Sequence, residues 1–365
     1  MVATTLPPPS SSSSLSASST CSTITTSSVP VLIAGAGPVG LFEAFLLTKL
    51  GIQVRIIERE MAISPLSKAL GMQPRSLEIF GMVGIINKFL ERGESLSSLN
   101  LYHGSKRTAT FNPSVMTHSD SHYNSGLILE QAKTSEILVE ELEKVGVKVD
   151  YGWELLDTKV VEEYEDDKTS GSGEKTKKTY VETTIRRALS GDNTAPDEKR
   201  YLGNTDLLEE QDDKEYEIHV VRSEYLVATD GGRSTVRHKL NIGFPGRTLD
   251  IKAMMWDGTY ESDLKITGLT NIYGVNRKGV VAFPLPNGNY RIVVEAGKLD
   301  PNEDLSKTME SLTVEKFEEL VSECIAPATF KVKTTSWLTV FKINERRAEH
   351  FVYKNRIFLA GDSAH

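Results

Sequence analysis

Apolar and polar positions along this chain switch between a strand-like period and a helical one, and the switches mark its elements. Val31-Leu32-Ile33-Ala34 is a short apolar run entering Gly35-Ala36-Gly37-Pro38-Val39-Gly40. A run of that length, closed by a turn signal, predicts a buried strand. From Leu41 to Leu50 the apolar positions take helical spacing, and Gly51 follows as a C-terminal stop. Val54-Arg55-Ile56-Ile57-Glu58 predicts a second strand. Strand, glycine turn, helix and strand make one βαβ unit, which requires a right-handed crossover and a parallel sheet.

Helical spacing returns over 74–89 and 131–146, and a strand is predicted over 147–151. Residues 162–215 are Glu, Asp, Lys, Ser, Gly and Thr with few apolar positions. That composition predicts a solvated insertion between strands, a long hairpin with a mobile tip. Alternation resumes over 216–220, and apolar Tyr225-Leu226-Val227-Ala228 runs into Thr229-Asp230-Gly231-Gly232. From 253 to 295 the pattern becomes strands and turns, including a hairpin around Pro286-Asn287-Gly288-Asn289. A helix over 313–324 and a strand over 331–342 follow. The last predicted strand, 356–360, enters Gly361-Asp362-Ser363-Ala364-His365. An antiparallel region thus follows a parallel one.

Composition changes this picture little. At 365 residues, two intimately joined domains are expected, and 39% hydrophobic with 25% charged residues is globular. A net charge of -8 argues against a nucleic-acid partner, which needs clustered Lys and Arg. It leaves room for an anionic cofactor held by backbone N–H groups at a helix start. Two distant cysteines, Cys21 and Cys324, predict neither a disulfide framework nor a zinc site, and fit a reducing, cytoplasmic location. The seven histidines are scattered without metal-ligand spacing, so no metal is expected. Residues 1–29 are rich in Ser, Thr and Pro and predict a disordered tail rather than a leader. The apolar stretch 29–50 contains Gly35, Gly37, Gly40, two prolines and Glu43, so no membrane span is expected.

Three motifs carry chemistry. In the first, Gly35 permits the tight turn, Gly37 lets backbone approach a pyrophosphate, and Gly40 lets helix and strand pack closely. Glu58 ends the next strand roughly 20 residues on, where a carboxylate accepts from ribose hydroxyls. Such a unit alone denotes a dinucleotide, and leaves an NAD(P)-dependent dehydrogenase open. The second motif, from Ala228 through Asp230-Gly231 to Arg237, and the third, Gly361-Asp362-Ser363-Ala364-His365, each place Gly and Asp after an apolar strand. Both therefore fall at the carboxyl edge of the sheet, where open α/β sheets bind ligands.

In this order and spacing, the motifs resemble the FAD-dependent aromatic-ring monooxygenases of the phenol hydroxylase and chlorophenol hydroxylase type. The similarity runs from Val31 to His365 and is weakest over 162–215. Ser363 is a departure, since the family's last motif reads Gly-Asp-Ala-Ala-His. The resemblance implies FAD bound by Gly35, Gly37, Pro38, Val39, Gly40, Glu58 and Arg59. It implies that Asp230 and Gly231 lie near the pyrophosphate, and that Gly361 and Asp362 reach the ribityl chain with Gln131. Arg75, in Gln73-Pro74-Arg75-Ser76, matches the family's arginine near the pyrophosphate and the NAD(P)H path.

The expected fold is α/β: a Rossmann-like FAD-binding domain with a parallel sheet, plus an antiparallel β-sheet substrate domain of α+β type. The domain map reads 30–246 for FAD, 247–345 for substrate and 346–365 for the strand returning to the FAD domain. In the family, NADPH or NADH reduces the flavin, O2 adds, and the flavin hydroperoxide delivers oxygen to a phenolic or other electron-rich ring. With one glycine fingerprint, NAD(P)H is expected as a transient co-substrate, and the protein's work is to orient the ring and exclude water. The partners expected are thus a small aromatic substrate, O2 and NAD(P)H, with a homodimer as the assembly. Met255, Tyr273, Phe283 and Tyr290 are candidates to face the substrate, although strand residues of this kind are usually core. Relatives continue beyond the Gly-Asp motif into a loop and a helix. The chain is therefore expected to be a C-terminally incomplete flavin domain, slow or inactive alone. An FAD-binding fragment or a non-hydroxylating flavin oxidoreductase is the alternative.

Overall fold

A computed structural model describes residues 25–65, 67, 69–96, 98–112, 121–166, 175–189, 215–274, 278–298 and 312–365. In chain order they form β1 (Thr25–Ala34), α1 (Pro38–Lys49), β2 (Val54–Glu58), β3 (Gly71–Met72), α2 (Pro74–Met82) and α3 (Ile86–Arg92). Next come β4 (Glu94–Ser95), β5 (Leu99–His103), β6 (Lys106–Phe111), β7 (Leu127–Ile128), α4 (Gln131–Lys144) and β8 (Val149–Tyr151). Three long strands follow, β9 (Glu154–Asp166), β10 (Lys175–Ala188) and β11 (Tyr216–Ala228), then α5 (Thr235–Lys239) and β12 (Gly246–Glu261). The remainder is β13 (Leu269–Tyr273), β14 (Gly279–Pro284), β15 (Tyr290–Lys298), α6 (Val314–Ile325), β16 (Lys331–Arg346), β17 (Val352–Tyr353) and β18 (Ile357–Leu359).

The first sheet has the order β17-β18-β11-β1-β2-β8, and β18, β11, β1, β2 and β8 all run parallel. β1 is central, and its alternating side chains supply two different cores. Val31 and Ile33 pack with Leu41, Phe45, Ile137 and Leu138 under α1 and α4. Leu32 and Ala34 pack with Val221, Leu226, Val236 and Ile357 on the other face. The unbroken apolar run is the consequence of burial on both sides. Pro38 opens α1, where its fixed φ suits the first turn, and Gly51 at φ 82 takes the chain out of it.

The second sheet, β16-β12-β15-β14-β13-β5-β6, carries α6 on one face. Trp256, Ile292 and Val294 project beneath Phe317, Leu320 and Val321. The Trp256 ring stacks on Phe317 at 5.3 Å, and its Nε1 donates to Thr335 Oγ1 at 3.0 Å. Asn287 takes φ 60 in the β14–β15 turn, a left-handed conformation that Asn tolerates.

The structure corrects several expectations. β1 begins at Thr25, so residues 25–29, assigned to the tail, form sheet against 219–223 of β11. Backbone pairing, indifferent to side-chain polarity, holds this Ser/Thr stretch. The predicted helix over 74–89 is two helices, because Gly84 at φ 82 turns the chain while the apolar spacing continues through it. Within the segment assigned as a solvated insertion, β10 is an inner strand between β9 and β11, with Val181, Thr183 and Ile185 fully buried. Residues 167–174 and 190–214 of that segment lie outside the described residues. The second sheet is antiparallel except where β5 joins β13 in parallel, so residues 99–111, expected in the first domain, pair into this sheet.

Trp256→Ala is expected to destabilise the chain by about 3–5 kcal/mol, the cost of a large emptied core site. Urea denaturation followed by circular dichroism measures this, and a shift below about 1 kcal/mol would contradict the packing described.

Candidate functional site

Because β1, β2, β11 and β18 are parallel, their carboxyl ends lie along one edge of the sheet, and each ends in a motif residue. Gly35, at φ 105, follows β1 and donates its N–H to Ile57 O at 2.9 Å. Thr229 follows β11. Its N–H donates to Ala34 O at 2.8 Å, and its hydroxyl lies 2.8 Å from Gly35 O and 3.0 Å from Ala34 O. A Cβ on Gly40 would fall 2.0 Å from Gly35 O and 2.5 Å from Thr229 Oγ1. A Cβ on Gly35 would fall 2.4 Å from Thr229 O. These two glycines are required by packing.

Gly37 is different. No atom lies within 4 Å of the place its Cβ would take, and the same holds at Gly231. Both line a cleft of about 250 Å³ together with Gly35, Pro38, Glu58, Arg59, Gln131, Thr229 and Asp230. The first N–H groups of α1 have no intrahelical acceptors, and the helix opens at Gly37 and Pro38, both in the lining of this cleft. Glu58 holds the turn from the side, accepting from Ala36 N–H at 2.7 Å and Glu60 N–H at 3.1 Å. Each carboxylate oxygen keeps a second lone pair for a ligand hydroxyl. Arg59 is largely exposed at the rim and pairs with Glu60 at 3.3 Å. Tyr151 and Trp153 close the same end, and burial together with the Glu58 charge pushes the Tyr151 phenol up.

Asp230 is the unbalanced group. Its Oδ2 accepts from Val236 N–H at 3.1 Å, whereas its enclosed Oδ1 has no partner among the described residues. Burial pushes this carboxyl up despite hydrogen bonds from Ser234 and the start of α5. A buried acceptor without a donor is costly, and a ligand hydroxyl or N–H at this edge would satisfy it.

The third motif reaches the first through contact. Gly361, at φ 61, sits where a Cβ would fall 2.9 Å from Val39 Cγ2. Asp362 is exposed in the turn that follows β18. Gln131 lines the cleft at the start of α4, with its N–H donated to Ser67 Oγ at 2.6 Å. Arg75 stands apart: it is exposed on α2, pairs with Glu78 at 2.9 Å, and does not line the cleft. Three residues had no assigned site role. Besides Thr229, they are Ser363 and Arg237. The Ser363 hydroxyl, fully buried, lies 2.6 Å from Ala228 O and 2.7 Å from Ala360 O. Arg237 donates to Ser363 O at 2.9 Å and Gly232 O at 2.7 Å, its guanidinium 3.7 Å from the Phe244 ring centre. The departure at Ser363 thus stitches the second motif to the third. Arg237 stood inside the second motif, but its distant acceptors left no mark in the sequence.

This architecture is that of a dinucleotide-binding α/β domain joined to a β-sheet domain. Residues 28–186 and 195–365 match the FAD binding domain family, and the chain belongs to it. It is 27% identical over 341 residues to a rifampicin monooxygenase of Streptomyces venezuelae, covering 92% of this chain and 58% of that protein. It is 26% identical to a para-nitrophenol 4-monooxygenase of a Pseudomonas species, covering 92% of this chain and 71% of that one. Coverage of an FAD-dependent monooxygenase of Aspergillus terreus is 45%, so the chain spans about half the length of several curated relatives. Among solved structures, p-nitrophenol 4-monooxygenase from Pseudomonas putida aligns with a TM-score of 0.68 at 22% identity, over 94% of this chain and 74% of that one. Aklavinone-11 hydroxylase, solved with FAD and aklavinone, aligns with a TM-score of 0.65 at 22% identity over 92% of this chain and 57% of that one. These likenesses share the fold. No helix among the described residues is long and apolar enough to cross a membrane.

Gly40→Ala and Gly37→Ala should separate packing from binding. The first is expected to cost about 1–3 kcal/mol of stability by overpacking. The second should leave stability within about 0.5 kcal/mol and weaken FAD binding at least tenfold. Denaturation and flavin fluorescence titration read the two effects, and an unweakened Gly37→Ala would remove Gly37 from the cofactor site.

The raised Asp230 carboxyl predicts a pH dependence. Its stabilising share is present below the unfolded carboxyl value, about 4, and is lost as pH rises through the folded value. Asp230→Asn should therefore gain stability relative to the parent between pH 4 and pH 7. Urea midpoints at both pH values test this; a constant difference would show that the carboxyl does not titrate as described.

Proposed function

We propose that this chain forms the FAD-binding and substrate-binding part of an NAD(P)H-dependent monooxygenase that hydroxylates a phenolic or other electron-rich ring. The observation that carries the reading is a cleft shared by the first two motifs, with an enclosed, unpartnered Asp230 Oδ1, while the third motif touches the first at Val39 and the second at Ala228. Gly37, Pro38 and the α1 N-terminus would cradle the pyrophosphate. Glu58 would take the ribose hydroxyls, with Arg59 at the rim. Asp230 and Gly231 would lie beside the pyrophosphate, while Gln131, Gly361 and Asp362 would reach the ribityl chain. When bound, FAD supplies the electron transfer from NAD(P)H and the reaction with O2.

The chain's own task is then to orient the ring and to keep water from it. The face of the second sheet away from α6 offers half-buried Val281, Phe283 and Val293 for that purpose. Of the four candidates read from sequence, Met255 and Phe283 lie on this face. Tyr290 packs instead against Tyr260 on the α6 side, and Tyr273 is 60% exposed near the end of its strand. Arg75, exposed on α2 and outside the cleft, would meet NAD(P)H arriving from solvent. Names of relatives that include rifampicin and para-nitrophenol support an oxygenated aromatic substrate. The sparse use of cysteine supports a cytoplasmic location.

The chain should bind FAD stoichiometrically and turn yellow. In the whole protein, oxygen uptake with NAD(P)H should rise at least tenfold with one member of a phenol panel. FAD binding without stimulation by any electron-rich ring would leave a flavoprotein and overturn the hydroxylase reading.

A further inference from the structure

One ion pair lies inside the second sheet, on the face away from α6. Arg291 on β15 stands opposite Asp257 on β12, and Asp257 stands opposite Trp337 on β16. Phe283 on β14 faces Arg291 from the other side. Their neighbours Trp256, Ile292 and Ala282 belong to the core beneath α6, so strand alternation puts this cross-strand row on the opposite face. Arg291 is 2% exposed and grips Asp257 with two bonds, Nε to Oδ1 at 2.7 Å and Nη2 to Oδ2 at 2.6 Å. Its guanidinium lies 5.2 Å from the centre of the Trp337 ring. The third nitrogen, Nη1, is enclosed and has no hydrogen-bond partner among the described residues.

A buried ion pair contributes little to stability over apolar residues of the same shape, and an enclosed donor without an acceptor costs stability. The row is also well placed. It lies next to the β14–β15 turn, whose Leu285, Pro286 and Asn287 share a cavity of about 450 Å³ with Leu129, Glu130 and Lys133. The adjoining residue Gln131 lines the cleft of the first domain. The row thus adjoins, along β14 and β15, the turn that reaches toward the start of α4 and the proposed flavin site.

We propose that Arg291 is a specificity-determining residue of the substrate site, whose Nη1 donates to a neutral oxygen on an aromatic ring. The oxygen is a phenol hydroxyl or a ketone or quinone carbonyl. Asp257 already neutralises the guanidinium, so a carboxylate entering here would leave a net negative charge in a desolvated place. The site therefore takes oxygenated rings without an acid group. Asp257 and Trp337 act as positioning residues that hold the fork, and the half-buried Phe283 ring moves aside for the ligand. This assignment rests on the monooxygenase reading above.

The test uses the FAD-loaded protein and calorimetric titration with acetophenone and benzoate, whose only oxygens are a ketone and a carboxylate. The parent should bind the ketone at least tenfold more tightly than the carboxylate. Arg291→Met alone leaves Asp257 buried and unpaired, which destabilises the fold. The pair Arg291→Met with Asp257→Leu replaces both by apolar residues. It should keep its FAD and its fold by circular dichroism while losing at least tenfold in ketone affinity. Asp257→Asn, which leaves the cation uncompensated, should shift the preference toward the carboxylate. Unchanged ketone affinity in the double variant, or no ketone binding by the parent, overturns the assignment. Loss of FAD affinity with ketone binding intact also overturns it and gives the donor to the cofactor. A parent protein that holds no FAD fails at the earlier step, the functional reading itself.

Discussion

The close approach of Gly35, Gly40 and Thr229 is the constraint on which the rest of the molecule depends. Here the end of β1, the first turn of α1 and the end of β11 come within hydrogen-bond distance of one another. A side chain on Gly40 would hold the helix away from the turn, and one on Gly35 would strike the backbone of Thr229. With both absent, Thr229 can donate its N–H to Ala34 O and its hydroxyl to Gly35 O at once, and the helix start is aimed along the sheet edge. That aim turns a net acidic chain into one able to hold a phosphate. The positive end is made by oriented backbone, so no surplus of Lys or Arg is needed.

The same edge gathers the other motifs by stitches of different kinds. Glu58 ties the next strand to the turn through Ala36 N–H. Ser363 ties β18 to β11 by a buried hydroxyl, and Arg237 spans from Gly232 to Ser363. Asp230 is left with one satisfied and one unsatisfied oxygen. Arg291 in the other sheet repeats this state, with two satisfied nitrogens and one orphan. Among the enclosed side-chain nitrogens and oxygens of the described residues, only Ser223 Oγ joins these two atoms in lacking a partner. Two of the three exceptions lie at or beside the proposed sites, as expected where a protein leaves polar groups for a ligand.

The second sheet works by division of its faces. Trp256, Ile292 and Val294 anchor α6, a conventional packed core that gives the domain its rigidity. The opposite face carries Val281, Phe283 and Val293 half-buried, with the Arg291–Asp257 ion pair fixed beside them. A face whose apolar side chains surround a neutralised ion pair suits an oxygenated ring better than a charged one.

Local chemistry made much of this legible in the sequence. The apolar run of β1, the glycine turn, the α1 spacing and Glu58 follow from requirements that act within a few residues, so the βαβ unit could be read directly. So could the Asn-containing hairpin turn and the start of α6 at Thr313, whose side chain accepts from Lys316 N–H. The tertiary structure decided what depends on distant partners. Thr25 to Val29 became strand because β11 lies alongside, and β10 became an inner strand because its neighbours cover it. Residues 99–111 crossed into the second sheet through a pairing with β13 that no local pattern announces. Thr229, Ser363 and Arg237 gained their roles the same way, from acceptors up to 195 residues away. Sequence shows which groups a residue carries; only the fold sets which of them are left without a partner.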